Sequence, residues 1–342
     1  MAPLRPMPQQ GSLGGAEGKG AAAWKRRLVF GVFVFLGTLI KLTQHKAREL
    51  QYNFLCPIIV VSLAKLLCSL LLYAHFDGPL SGLPRTLASL GVLIWRYSVV
   101  AGLYCLYDVL SFVNLGIFDP QTFLVFLQLR TVLTAAVWEV AFAKPLSWLQ
   151  RGALVLICLS CVAKQLRGGL AWGAASSVSP TSYSLLALQV ACNCLAGVAN
   201  EVLLKSKGGA PLNVQNLLQY SWTICWCLLV GLLCPLQGVR LDPLDLREWA
   251  KMADPRMLPS IAVLTVLGLV TSLLLKLLDS VWKAIATAAE LFLTSYASAL
   301  LFGYPVRSTD LLALCVGASG VGLYAWAGAR AAPKRGGPAK DC

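Results

Sequence analysis

The sequence predicts an all-α polytopic membrane protein, built as ten transmembrane helices in two inverted five-helix repeats. Three observations lead to that fold class. The 342 residues are 57% hydrophobic and 13% charged, with a mean hydropathy of +0.69, whereas soluble domains carry about 25% charged residues. Apolar runs near the ~20 residues that a membrane span needs recur along the chain, with room for ten. One charged helix is also written twice, at residues 118–145 and 277–305. Counted from Asp119 and Asp279, an offset of 11 gives Arg130 and Glu290, and 15 gives Thr134 and Thr294. Offsets of 23 and 26 give Phe142 with Phe302 and Pro145 with Pro305.

Residues 1–24 are rich in Gly, Pro and Ala and read as disordered. The basic cluster Lys25-Arg26-Arg27 leads into a first span, not a cleavage site. The expected organisation is a cytoplasmic tail (1–27), a first repeat (28–166), a second repeat (181–328) and a cytoplasmic C-terminal tail (329–342). Spans are expected at 28–43, 53–75, 93–118, 121–143, 146–166, 182–204, 214–236, 257–276, 280–303 and 308–328. Five helices per half is an odd number, so the halves insert with opposite orientation, a plan common in transporters. Both tails are basic, which places both termini in the cytoplasm. In the tenth span Ala313 with Gly317, and Ala318 with Gly322, are small residues at helical spacing. Packing within the chain is the first reading of that stripe, and a homodimer seam is the second.

The net charge of +14 comes from basic residues scattered between hydrophobic runs. That distribution excludes a nucleic-acid surface and fits topology signals and an anionic solute. Twelve cysteines sit mostly inside apolar segments, and two histidines complete the metal-ligand inventory. Neither a disulfide framework nor a zinc site follows. No triad, phosphate loop or cofactor motif is present, so an enzyme is not expected. Membrane lipids are the expected surroundings.

A charge near the middle of a span costs about 2.5–3.5 kcal/mol and marks a cavity or a partner. Lys65, Asp108, Arg130, Glu201, Lys283 and Glu290 lie deep by that measure, while Lys41, Glu139 and Lys276 lie near span ends and can snorkel. Several cations in one cavity suit phosphates. Arg130 offers a planar fork of donors and Lys283 a mobile point charge. Tyr104, Tyr107 and Tyr220 can stack on a ring or donate hydrogen bonds, although packing is the commoner use of such tyrosines.

These residues resemble the nucleotide-sugar transporter family, in the subfamily of the CMP-sialic acid, UDP-galactose and UDP-N-acetylglucosamine carriers. The strongest portion is Lys276-Leu-Leu-Asp279-Ser-Val-Trp-Lys283, followed by Ala297-Ser-Ala-Leu-Leu-Phe-Gly303. Ala64-Lys65-Leu66, Asp119 through Gln128-Leu-Arg130, Ala196-Gly197-Val198 with Glu201, and Asn216 with Tyr220 also match. The resemblance implies a ten-helix drug/metabolite-transporter fold. It also implies antiport of a cytosolic nucleotide sugar against luminal nucleoside monophosphate in the Golgi membrane. By the same resemblance Arg130 and Lys283 meet the phosphate, Asn216 and Tyr220 meet the base, and Tyr104 matches a third-helix tyrosine. The expected binding set is Lys65, Tyr104, Tyr107, Asp108, Gln128, Arg130, Asn216, Tyr220, Asp279, Lys283, Thr287 and Glu290.

The chain departs from the family pattern at three places. Tyr107-Asp108-Val109 stands where the family has Gln-Asn-Asn, Arg130 replaces a lysine, and Glu290 replaces a small apolar residue. The carboxylates Asp108 and Glu290 argue against a sialic acid carboxylate. A UDP-sugar is therefore favoured, with an N-acetylhexosamine conjugate among the candidates, and CMP-sialic acid or another nucleotide sugar is the alternative. A transport-incompetent membrane scaffold is the rival of another class. Glu290 has two readings: an ion pair with Arg130 across the empty cavity, or neutralisation of a neighbouring lysine. A lone Lys340 near the C-terminus favours the Golgi over the endoplasmic reticulum.

Overall fold

The computed structural model describes residues 16–47, 50–118, 120–166, 179–206, 210–242, 245–302 and 308–331, which form helices and turns with no strand among them. The helices are α1 (Ala16–Ala47), α2 (Leu55–Leu72), the short α3 (Leu83–Ser89), α4 (Val92–Ile117), α5 (Pro120–Leu127), α6 (Arg130–Phe142) and α7 (Trp148–Gln165). After residues 167–178 come α8 (Pro180–Leu204), α9 (Leu212–Leu233), the short α10 (Leu246–Ala250), α11 (Leu258–Leu277), α12 (Ser280–Phe302) and α13 (Ser308–Ala331). Asp119, Gly303 and Pro305 lie outside the described residues.

Nine helical stretches among the described residues are long and apolar enough to cross a membrane. The fifth expected span is not one of them. Its helix forms as α7, but Arg151, Lys164 and flanking glutamines interrupt its 18 residues. The first helix starts at Ala16, well before the expected span at 28, because Ala21–Ala23 and their neighbours favour helix.

Local signals set several boundaries. Ser147 begins α7 with a capping box, its hydroxyl accepting from the Gln150 N–H (3.3 Å) while the Gln150 side chain accepts from the Ser147 N–H (3.0 Å). Ala143 ends α6 in the left-handed conformation at φ 50°, just before Pro145. The fourth span is broken between α5 and α6. There Gln128, Leu129 and Thr131 donate to carbonyls three residues back, and the regular pattern resumes at Leu133. The break makes Arg130 the first residue of α6.

Packing runs between the two halves of the sequence. α7 lies along α13, α2 along α9, α4 against α8 and α9, and α1 against α11 and α12. α6 packs on α8 and α12, and α2 on α11. The small residues of α13 serve the first of these seams. A Cβ on Gly320 would meet Ile157 at 2.7 Å, and one on Gly317 would meet Ser160 at 2.8 Å, so α7 and α13 touch at close range. Ala318 is exposed and Gly322 meets nothing within 4 Å.

Candidate functional site

A cavity of about 480 Å³ lies between α1, α2, α4, α8, α9, α11 and α12, within the ~300–1,000 Å³ typical of small-molecule sites. It extends along α11 from Ser260 to Ser272, about 18 Å at 1.5 Å per residue. Of the expected residues, Lys65, Tyr104, Asp108, Tyr220 and Lys283 line it. A smaller cleft of about 80 Å³ adjoins it, lined by Arg130, Thr134, Asn193, Ser280, Lys283 and Thr287 among others. Lys283 lines both.

Asp279 explains where Lys283 stands. Its carboxylate accepts from the Trp282 N–H at 2.7 Å and its carbonyl from the Lys283 N–H at 3.1 Å, so it caps α12. Asp279 is thus a helix cap rather than a lining residue, and Lys283 sits in the first turn. Thr287, one turn on, turns its hydroxyl back to the Lys283 carbonyl at 2.9 Å.

The cations here are held by rings rather than carboxylates. The Lys283 ammonium lies 5.6 Å from the Tyr104 ring centre, and that of Lys65 lies 5.5 Å from the Tyr220 ring centre. Among the described residues neither has a carboxylate within 4 Å, and nor has Arg130. Cation–π contacts supply about 0.5–2 kcal/mol, less than two or three charge-assisted hydrogen bonds to a phosphate at about 1.5–3 kcal/mol each. Asp108 is the carboxylate of the cavity lining, close enough for Lys65 to feel its charge.

Other expected residues stand elsewhere. Gln128 is buried at the α5–α6 break, its amide donating to the Leu124 carbonyl at 3.1 Å. Asn216 is buried in α9 and Tyr107 is half-buried on α4, and neither lines the cavity. Glu290 lines neither space. It packs onto Gly37 of α1 and lies 3.8 Å from the Lys41 ammonium. Of its two readings the structure carries the neighbouring lysine, and Arg130 is near enough only to be felt electrostatically. Glu201 is a structural anchor. Its fully buried carboxylate accepts from Lys205 (2.8 Å), the Ser280 N–H (2.7 Å) and the Trp138 indole (3.2 Å). Lys205 also donates to the Leu278 carbonyl, tying the end of α8 to the α11–α12 junction.

Several lining groups escaped the sequence reading: Gln44, Asn200, Gln219, Thr223 and Ser260. They are uncharged, and nothing in a hydropathy pattern separates them from ordinary polar residues of helix packing.

A family model described as "Nucleotide-sugar transporter" matches residues 26–325. The chain belongs to the nucleotide-sugar transporter family. It is 32% identical over 331 residues to the UDP-galactose transporter senju of Drosophila melanogaster, covering 87% of this chain and 84% of that one. It is 21% identical over 299 residues to CMP-sialic acid transporter 2 of Oryza sativa subsp. japonica, covering 84% and 80%. A crystal structure with 12% identity superposes at a TM-score of 0.65 over 88% of this chain and 98% of that one, which speaks to the fold alone. This transporter family member is therefore a multi-pass membrane protein and not an enzyme.

Proposed function

We propose that this transporter carries a UDP-sugar from the cytosol into the Golgi lumen in exchange for a nucleoside monophosphate. The observation that carries the reading is Lys283, which faces the main cavity on one side and the Arg130 cleft on the other with no carboxylate partner. That arrangement suits a ligand with phosphates at its centre and bulkier groups at its ends. The UDP-galactose transporter among the relatives supports a UDP-hexose over CMP-sialic acid.

Alternating access follows from ten spans in two inverted repeats, with α7 as the fifth. The helix packing supports that plan. Exchanging each helix for its counterpart five spans away turns α1 on α11 into α8 on α4, and α1 on α12 into α8 on α6. It returns α2 on α9, α7 on α13 and α6 on α12 to themselves. With both termini cytoplasmic, the Glu201–Ser280 and Lys205–Leu278 ties lie on the cytoplasmic side. Tyr52, Phe54 and Met257 line the luminal end of the cavity. Binding at the midplane between repeats is the general transporter arrangement.

Exchange in liposomes tests the proposal. Purified protein in vesicles preloaded with UMP is expected to take up labelled UDP-galactose, and empty vesicles are expected to take up far less. Equal uptake with and without internal UMP would remove the exchange mechanism, and no uptake of any nucleotide sugar would remove the function.

A further inference from the structure

The shift that carries Asp119 onto Asp279 also carries Gly37 onto Gly197, Lys41 onto Glu201 and Arg130 onto Glu290. The packing obeys the same shift. It turns the close approach of Ser160 to Gly317 into that of Gly320 to Ile157, and both occur between α7 and α13. Under such a pseudo-two-fold relation, the face of α12 on α1 has its image in the face of α6 on α8.

The first face is filled. Glu290 lies over Gly37 so closely that no Cβ could stand there, and its carboxylate is 3.8 Å from the Lys41 ammonium. The image face is open. A Cβ on Gly197 would meet nothing within 4 Å, and Arg130 lines the cleft beside that glycine with no carboxylate within 4 Å among the described residues. Glu201, one turn further along α8, is held instead by Lys205, the Ser280 N–H and the Trp138 indole. Both members change sign between the faces, so each face still offers one cation and one carboxylate.

An inverted-repeat carrier changes sides as one repeat rocks against the other. We infer that the two faces form a reciprocal lock. Glu290 over Gly37 with Lys41 secures this state, and Arg130 over Gly197 with Glu201 secures the state open to the opposite side. Opening the end tied by Ser280 breaks that hydrogen bond and frees a carboxylate oxygen of Glu201 for Arg130. The inference rests on the proposed exchange by alternating access.

Paired glycine substitutions in the full chain test the lock. Gly37→Ala sets a Cβ against Glu290 and raises the energy of this state, whereas Gly197→Ala has room here and raises the opposite one. Each is expected to slow exchange of UDP-galactose for UMP in proteoliposomes about threefold to tenfold. The double variant raises both states alike and is expected to return to within about twofold of the wild type. Glu290→Gln weakens the same pair without changing its shape, and its slowing should likewise be reversed by Gly197→Ala. That second pairing serves if Gly37→Ala does not fold. Gly31→Ala on α1, where nothing lies within 4 Å, is the control and should exchange normally. UMP-induced thermal stabilisation is expected to show affinity within about threefold in every folded variant, so the effect falls on turnover. A merely structural role would make the two slowings multiply in the double variant. That result, or a Gly197→Ala protein that exchanges at the wild-type rate, would overturn the lock. If the wild type itself exchanges no nucleotide sugar, the transport proposal falls.

Discussion

Lys65 lies across Gly268. A Cβ built on that glycine of α11 would stand 2.2 Å from the Lys65 Cε and 2.7 Å from its ammonium nitrogen. The glycine therefore makes the groove through which a lysine of α2 reaches the cavity, a use of a missing side chain that hydropathy cannot show.

Gly268→Ala is expected to push the Lys65 ammonium aside. The displaced atoms end a flexible side chain, so the cost should fall on ligand affinity rather than folding. UDP-sugar affinity is expected to drop about threefold to thirtyfold, while the melting temperature stays within a few degrees. Gly152→Ala, where nothing lies within 4 Å, is the control and should change neither. Competition binding on both variants checks the pair.

Glu290 repeats the pattern on another face. Its carboxylate oxygen would meet a Cβ on Gly37 at 2.3 Å, and it is buried between α1 and α12 with Lys41 as its partner. Gly37→Ala overpacks that contact and is expected to destabilise by about 1–3 kcal/mol. Glu290→Gln keeps the shape and is expected to leave nucleotide-sugar affinity within about threefold. Abolished binding in Glu290→Gln would return Glu290 to the site.

Lys164 and Asp310 form a nearly dry ion pair at 3.6 Å between α7 and α13, with the lysine also donating to Ser295 at 2.7 Å. Removing one partner leaves a buried charge, so Asp310→Ala is expected to cost about 3–5 kcal/mol. The double change Lys164→Leu with Asp310→Leu is expected to recover most of that loss. Thermal unfolding in detergent of the three proteins reads it.

Outside the membrane, Glu248 ties the short helix α10 to the chain before α2. It accepts from Lys251 and from the Asn53 N–H at 2.7 Å, and Lys251 donates to the Gln51 carbonyl at 2.6 Å. The Lys251 hydrogen bond, helped by the Asn53 N–H and opposed by burial, holds the Glu248 carboxyl below its ordinary range. A depressed pKa gives stability that is complete above the unfolded value of about 4.3 and lost as pH falls through the lower folded value. Wild-type protein is expected to lose thermal stability more steeply below about pH 4.3 than Glu248→Gln does. Parallel acid limbs would refute the tie.

The all-helical architecture was legible because long apolar runs leave few alternatives in lipid. The charged residues were legible for the same reason, since each one in a span demands an explanation. Their division of labour was not. Asp279 reads like a ligand until its carboxylate is seen capping α12. Glu201 looks like Lys65 in sequence, yet three donors saturate it, while no carboxylate lies within 4 Å of Lys65 and Asp108 acts on it from further away. Lys164 and Asp310 were hidden by their position near span ends. Gln219 and Ser260 were invisible because neutral polar residues in a helix carry no periodic signal.

Ligand-induced thermal stabilisation of the wild type, Lys283→Ala and Arg130→Ala by UDP-galactose, UMP and uridine tests the phosphate seat most directly. The wild type is expected to be stabilised by the two phosphorylated ligands and barely by uridine. Each variant should lose about 1.5–3 kcal/mol of binding, tenfold or more in affinity for both phosphorylated ligands. Undiminished stabilisation of both variants, or none of the wild type by any nucleotide, would contradict a phosphate seat at Lys283 and Arg130.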